Sequence, residues 1–144
     1  MNLSPHFTLD ELTESATALR LGIDNTPLPW EIEALTRLCE QILEPLREHF
    51  GKPVAVTSGY RSPRVNGAVG SKPSSQHCKG EAADIKIHGV PNLEIAEWIK
   101  ANTEFDQCIL EYPPGGWVHV SHKKNECRYE CLRIDAAGTF QGLV

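Results

Sequence analysis

The sequence predicts a single α+β domain in which N-terminal helices pack on a small, mainly antiparallel sheet. Apolar residues in the first 50 positions recur every three or four residues, which is the period of an amphipathic helix. The apolar stretches after that point are shorter, and several alternate with polar residues as half-buried strands do. A length of 144 residues is typical of one domain. We therefore expect one domain over residues 1–144, with a helical part over 1–50 and the sheet within 51–144.

Three helices are predicted, and segments rich in glycine and proline separate them. They cover residues 9–19, a longer stretch that starts near Trp30 after a linker at 22–29, and residues 93–101. Thr8 and Glu11 have the spacing of a capping box at the first helix. Pro45 lacks an N–H for the hydrogen-bond ladder, so it should kink or thin the last turn of the second helix. Asn92 is expected to cap the third helix, and Trp30 and Trp98 are expected to face the core.

The strands follow from period-two alternation and from turn residues. They are predicted at 54–58, 83–87, 107–112, 117–121 and 128–134. The sequence Pro-Pro-Gly-Gly at 113–116 separates the third and fourth strands, which favours a hairpin. Residues 59–79 are rich in Gly, Pro and Ser and lie between two strands. A loop of this length in a small domain is usually functional.

Composition and charge exclude several classes of function. The formal net charge is −5, and no basic run is present, so the chain should not bind nucleic acid. No apolar run is long enough to cross a bilayer, so no membrane insertion is expected. The first 15 residues lack the basic and apolar regions of a secretory signal peptide, which predicts synthesis as a cytoplasmic product. The five cysteines are accordingly expected to be reduced thiols. No feature of the sequence indicates an oligomeric state.

Two histidines and one aspartate are the most informative side chains. His77 precedes Asp84 by seven residues, and Gly80 between them permits a sharp turn. Asp84 lies in the apolar strand AADIKI, and His119 lies in the strand WVHVS. Two His and one Asp are a ligand set of catalytic zinc sites, which leaves a fourth position open for water. From the residues alone, Asp84 turned to solvent and His119 as a surface or hydrogen-bonded core histidine remain alternatives.

Other kinds of site are less well supported. Cys127 and Cys131, with His119 or His122, have loose spacing for a closed structural zinc site, and no second Cys pair is present. No G-x-S-x-G segment indicates a serine hydrolase. No phosphate-binding glycine motif is found either. The His and Asp set is therefore the leading candidate.

Three segments together resemble the zinc D-alanyl-D-alanine carboxypeptidases, whose fold is shared with the hedgehog signalling domain. They are S-G-Y-R-S-P at 58–63, S-x-H-x-x-G-x-A-x-D at 75–84 and W-V-H-V-S at 117–121. The segments at 7–15 and 105–111 also resemble the small single-domain branch that is common in phages and prophages. The resemblance covers nearly the whole chain.

The resemblance implies a role for each matched residue. His77, Asp84 and His119 would be the ligands of Zn²⁺. Arg61 would match the arginine that steadies the scissile carbonyl group. Ser75 would match a polar residue on the substrate side of the first ligand.

The sequence differs from the family pattern at the position of the general base. Many relatives carry a Glu three residues before the last His, and that position is Gly116 here. Glu111 on the preceding hairpin strand is the remaining candidate, and Glu81 is the reserve. Whether Glu111 faces the same side as His119 depends on the hairpin register. Trp117 is expected to line the substrate cleft.

The resemblance implies a zinc-dependent peptidase that cuts a stem peptide of bacterial peptidoglycan. Both a D-Ala-D-Ala bond and an internal L-Ala-D-Glu bond fit it. The resemblance implies a role in phage- or prophage-related lysis of the cell wall. The protein would reach the wall after release from the cytoplasm or as part of a phage particle. The alternative is a zinc-retaining but inactive binding or phage assembly module of the same fold. A weaker alternative is a metal-free chain in which both histidines are structural.

Overall fold

A six-stranded mixed sheet forms the centre of the protein. The structure is a computed structural model that describes residues 1–144. The strands are β1 (Asn2–Ser4), β2 (Phe7–Thr8), β3 (Ala55–Ser58), β4 (Ala82–Lys86), β5 (Gln107–Glu111), β6 (Trp117–Ser121), β7 (Glu130–Asp135) and β8 (Gly138–Gln141). The first two form a separate small antiparallel pair, and the others are ordered β3-β4-β6-β5-β7-β8. All neighbours in the large sheet are antiparallel except β5 and β7. This confirms the predicted α+β domain with a mainly antiparallel sheet.

The helical regions include the three predicted ones, and two short helices that were not predicted lie within residues 59–79. In chain order, the helical regions are α1 (Leu9–Thr13), α2 (Ala16–Leu21), α3 (Pro29–Leu38), a π-helical segment (Cys39–Leu43), α4 (Glu44–Phe50), α5 (Pro63–Ala68), a 3₁₀ helix (Gln76–Lys79) and α6 (Asn92–Asn102). The single helix predicted over 9–19 is two helices. The break occurs because Ser15 leaves the helical conformation, and its side chain accepts a hydrogen bond from the N–H of Ala18 at 3.1 Å.

The second predicted helix runs without a break from Pro29 to Phe50, and its irregularity precedes Pro45. In the π-helical segment, the N–H of Glu44 donates to the carbonyl of Cys39, five residues back. Such a turn accommodates a residue that cannot continue the normal ladder. The perturbation by Pro45 therefore falls in the middle of the helix, not in its last turn as expected.

Three further expectations need correction. Pro91, not Asn92, is the N-cap of α6, and the Asn92 side chain instead donates to the carbonyl of Gly115 in the hairpin turn. Trp30 is 63% exposed at the N-terminal end of α3, because the buried stripe of that helix passes through Leu35 and Leu38. The C-terminal strand is followed by β8, which forms a second hairpin that was not predicted.

The two faces of the large sheet have different environments. Alternate residues point into the core that the helices cover, among them Ala83, Ile85, Cys108, Leu110, Val118 and Val120. The intervening residues, which include Asp84, Ile109 and His119, face the opposite side and line a cleft. The period-two pattern of the sequence therefore separates the core from the candidate site. No helix is both long and apolar enough to cross a membrane.

Candidate metal centre

The three residues predicted as metal ligands meet at the floor of the cleft. Asp84 on β4 and His119 on β6 are direct cross-strand partners, so their side chains share a face. His77 comes from the 3₁₀ helix that precedes β4. Gly80 ends that helix with a φ of 72°, in the left-handed region that favours glycine, and returns the chain to the sheet.

The ligand atoms are close enough for a single ion. His119 Nδ1 lies 3.0 Å from Asp84 Oδ1, and His77 Nε2 lies 3.3 Å from the same oxygen. All three ligand atoms lie within 4.8 Å of one another. His77 is buried, and the other two side chains are only slightly exposed. The chain thus brings two imidazoles and one carboxylate together at a site that is largely shielded from solvent.

The hydrogen bonds of this cluster fit a bound cation. His77 Nδ1 lies 2.7 Å from the carbonyl of Gly59, so this nitrogen must donate and carry the proton. In the neutral imidazole, the lone pair of Nε2 then faces the Asp84 carboxylate, which is also an acceptor. Burial raises the pKa of Asp84, but when the two rings are protonated, hydrogen bonds and charge from His119 and His77 outweigh burial and hold that pKa well below its usual range. An ionised carboxylate that faces two imidazole nitrogens is a donor set suited to zinc, with a fourth position left for water.

The hairpin register places Glu111 on the same face as His119. Ile109 pairs with His119, and Glu111 pairs with Trp117. Because residues two apart on a strand share a face, both Glu111 and Trp117 face the cleft. The Trp117 Nε1–H donates to Glu111 Oε2 at 3.0 Å and orients the carboxylate. Burial and the nearby negative charge of Asp84 hold the pKa of Glu111 above its ordinary value.

The structure explains why the position three residues before His119 is glycine. Gly116 has a φ of 40°, and a Cβ atom there would lie 1.8 Å from the carbonyl oxygen of Glu111. No side chain fits that space without moving the hairpin backbone. A glutamate therefore cannot occupy this position in the same hairpin, and Glu111 is the carboxylate that the hairpin presents instead.

Residues 59–79, which contain α5 and the 3₁₀ helix, form one wall of the cleft and carry Arg61 and Ser75. The whole cleft has a volume of about 970 Å³. The Arg61 backbone N–H donates to the carbonyl of His77 at 3.1 Å, while its buried Nε has no hydrogen-bond partner. Ser75 caps the 3₁₀ helix, because its Oγ accepts from the N–H of His77 at 3.2 Å.

Several residues that the sequence made conspicuous do not join the cluster. The Glu81 side chain accepts a hydrogen bond from Gln76 and does not line the cleft. His122 lines a different pocket, and its Nδ1 donates to the carbonyl of Glu104 at 2.8 Å. Cys127 Sγ lies 3.9 Å from that nitrogen, and no third ligand completes a group there. All five cysteines are unpaired thiols.

The far wall of the cleft was missed by sequence reasoning. It is built by residues of β5 and of the C-terminal segment, namely Gln107, Ile109, Arg128, Leu132, Ile134 and Thr139. The alternation of Leu132 and Ile134 indicated a strand, but nothing local showed that β7 lies beside β5. Only the sheet order brings these residues to the cleft.

A carboxylate-bearing cleft around a three-ligand centre with one open position is typical of metal-dependent hydrolases. The family model described as Peptidase M15 matches residues 5–121, about four-fifths of the chain. The chain belongs to the Peptidase M15 family, which confirms the predicted relation to the zinc D-alanyl-D-alanine carboxypeptidases. Peptidases of this family are zinc enzymes that act on peptidoglycan-type substrates. No curated protein gives a significant match.

Proposed function

We propose that this protein is a zinc peptidase that hydrolyses a bond in the stem peptide of bacterial peptidoglycan. The observation that carries the proposal is the placement of Glu111 on the same face of the sheet as Asp84 and His119. It supplies a second carboxylate beside the candidate ligands, which hydrolysis needs for proton transfer. Both a terminal D-Ala-D-Ala bond and an internal L-Ala-D-Glu bond fit this arrangement.

His77, Asp84 and His119 would hold the zinc ion. When bound there, zinc supplies Lewis acidity that polarises a carbonyl group and lowers the pKa of water. Glu111 is the proposed general base. It takes a proton from the attacking water and returns it to the leaving amine, a role worth roughly 10²- to 10⁴-fold in rate. Burial and the charge of Asp84 raise the pKa of Glu111, which favours a carboxyl group that can hold the proton before it releases it to the amine.

Arg61 is the proposed stabiliser of the charge that develops on the scissile carbonyl oxygen. Its buried Nε has no partner within the chain, although buried donors are normally paired. Arg61 also lines the cleft, where its guanidinium group would donate to a substrate oxygen. Ser75 and Trp117 line the same cleft and are proposed to contact the peptide.

The small branch that the sequence resembles is common in phages, so we extend the proposal to lysis of a bacterial wall by a phage or prophage product. Expression of the protein with and without a membrane pore tests this extension. Wall lysis only when the pore is present is the expected result, and intact walls in both cultures would contradict it.

Purified protein incubated with defined peptidoglycan fragments, with and without zinc, tests the proposed activity. Mass spectrometry should show zinc-dependent cleavage, and the product masses identify the bond. Glu111→Gln should lower turnover by at least 100-fold while zinc content stays unchanged. Glu33→Gln, at an exposed position of α3, is the matched control.

A zinc-retaining binding module is the second candidate, because Gly116 replaces the glutamate found in many relatives. Protein that holds one zinc ion and binds fragments without cleaving any of them would favour that module. Full turnover in Glu111→Gln would instead exclude Glu111 as the base.

A further inference from the structure

The C-terminal segment, residues 122–144, completes a cleft whose metal centre it does not touch. The family match ends at residue 121, so family membership gives this segment no role. Even so, Arg128, Leu132, Ile134 and Thr139 from this segment line the cleft. The segment therefore forms part of the surface that a ligand in the cleft would contact.

Arg128 is the charged side chain of this wall, and a buried carboxylate fixes its position. Its Nε donates to Asp106 Oδ1 at 3.0 Å, and its Nη2 donates to Asp106 Oδ2 at 2.7 Å. The backbone N–H of Arg128 also donates to Asp106, at 2.9 Å. The Asp106 side chain is fully buried, whereas the Arg128 side chain is 49% exposed. One edge of the guanidinium group is thus clamped, and the rest is open to the cleft.

The clamp leaves donors of the guanidinium group unused. A guanidinium group has five N–H donors, and Asp106 occupies only Nε and one position on Nη2. Nη1 makes no hydrogen bond, since Glu130 Oε1, at 3.8 Å, is too far away. The other contact of Nη2 is a long one of 3.5 Å to Gln76, the residue before His77. Nη2 therefore lies beside the helix that carries the first candidate ligand, while Nη1 lies 3.8 Å from Glu130.

The charge of the cleft also favours an anionic ligand. Its lining includes three cationic side chains, Arg61, Lys72 and Arg128, and two carboxylates, Asp84 and Glu111. A bound metal ion would offset the charge of Asp84. The charge of Arg128 is balanced by Asp106 and by Glu130 at 3.8 Å, so the positive charge of the cleft comes from Arg61 and Lys72, which pair with no carboxylate of the chain. A peptide with a free carboxylate is attracted to such a surface.

We propose that Arg128 is a specificity residue that binds a free carboxylate of the peptide substrate near the scissile bond. The inference rests on the proposed function, because it names the part of the stem peptide that the site reads. A guanidinium group pre-oriented by a buried acid matches the planar geometry of a carboxylate. The stem peptide offers two such groups, the α-carboxylate of γ-linked D-Glu and the C-terminal carboxylate of D-Ala.

Three synthetic stem pentapeptides distinguish the two carboxylates. One is unmodified, one carries D-isoglutamine in place of D-Glu, and one is amidated at its C-terminus. Their dissociation constants are measured on zinc-loaded Glu111→Gln protein, with and without Arg128→Gln. Arg20→Gln, at an exposed position of α2, makes the same side-chain change outside the cleft. Hydrolysis of the same peptides by protein with Glu111 intact is recorded in parallel.

We expect one of the amidated peptides to bind about 10- to 100-fold more weakly than the unmodified one, and Arg128→Gln to abolish that preference. Arg20→Gln should retain it. The ratio of two dissociation constants does not depend on the folded fraction of a variant, so a purely structural role for Arg128 would leave the ratio unchanged.

A preference that survives Arg128→Gln, equal binding of all three peptides, or no detectable binding would each overturn the inference. Absence of hydrolysis together with a preference that depends on Arg128 would overturn the proposed activity and retain the carboxylate site. The two failures are therefore distinguishable.

Discussion

At the residue scale, two side chains of the proposed site, His77 and Glu111, are oriented by neighbours that take no part in the reaction. The Gly59 carbonyl fixes the tautomer of His77, and the indole N–H of Trp117 fixes the carboxylate of Glu111. Such contacts hold reacting groups in productive geometry. Two predictions test them.

Replacing Trp117 with Phe removes the donor to Glu111 and keeps most of the ring. Loss of a hydrogen bond to a charged group costs about 1.5–3 kcal/mol, or roughly a 10- to 100-fold decrease in kcat/KM. The donor stabilises the ionised form, so the pKa of Glu111 should rise further in the variant. A base must be ionised to act, and the acid limb of the pH–rate profile should therefore move to higher pH. Trp98→Phe, on the helix-covered side of the sheet, is the control, and an unmoved acid limb would argue against this role.

Gly116→Ala should disturb Glu111, the proposed base, without touching a candidate metal ligand. The new Cβ would meet the Glu111 carbonyl, and the positive φ adds backbone strain. We expect a loss of about 1–3 kcal/mol in stability and a larger loss in turnover than in zinc content. Gly115→Ala is a close control because a Cβ there has no neighbour within 4 Å. Equal activity of the two variants would contradict the steric explanation.

At the element scale, Asp106 joins the start of β5 to the loop that leads into β7. Burial raises the pKa of Asp106, but the hydrogen bonds and charge of Arg128 outweigh burial, so its pKa lies below the ordinary value. These contacts hold the only parallel pair of the sheet in register. The far wall of the cleft depends on them.

Asp106→Asn should destabilise the fold by about 1–3 kcal/mol at pH 7. A carboxyl group whose pKa is lower in the folded chain stabilises it above the unfolded pKa, about 3.9, and this contribution is lost as pH falls below that value. The difference between wild type and variant should therefore shrink in acid. Urea unfolding at pH 7 and at about pH 3 measures it, with Glu33→Gln as the control. A difference that stays constant with pH would exclude the ion pair as its source.

At the scale of the whole molecule, the core and the candidate centre lie on opposite faces of one sheet. The apolar core residues of the strands, such as Val118 and Val120, lie on the helix-covered face, whereas Asp84 and His119 lie on the other. The fold should therefore form without metal, and metal binding should add to its stability.

Chelated protein should stay folded and gain thermal stability when zinc is added. An ion that binds only the folded state adds about 2.7 kcal/mol at 100 times its dissociation constant. The gain should vanish in His119→Ala. It should also weaken as the solution is made acidic, because protons compete with the metal ion for its ligands. Thermal unfolding in a zinc titration checks this, and unfolding by the chelator alone would contradict it.

The sequence predicted much of the sheet, because alternation reports directly which face of a strand is buried. Asp84 and His119 stood out as polar residues within apolar strands, and the structure places both beside His77. The sequence did not determine the face of the sheet on which Glu111 lies, because a register shift of one residue would move its side chain to the other face. Only the pairing of Glu111 with Trp117 removes that ambiguity.

The remaining features depend on distant parts of the chain. Nothing local to Arg128 indicates that it meets Asp106, 22 residues away. The exposure of Trp30 likewise depends on how α3 packs, and not on its own spacing. Gly116 appeared as a missing glutamate in the sequence and proved to be a steric requirement of the hairpin.

The strand order bears on when activity can arise during synthesis. β6 lies between β4 and β5 although it is made after both, and Asp84 and His119 are 35 residues apart in the chain. A growing polypeptide that ends at β5 contains His77 and Asp84, but it lacks β6, the strand that lies between β4 and β5 in the sheet. The hairpin then delivers His119 together with Glu111 in one late, long-range docking step. We expect incomplete chains to be unable to cleave peptides, because the candidate centre forms only once β6 has docked between β4 and β5.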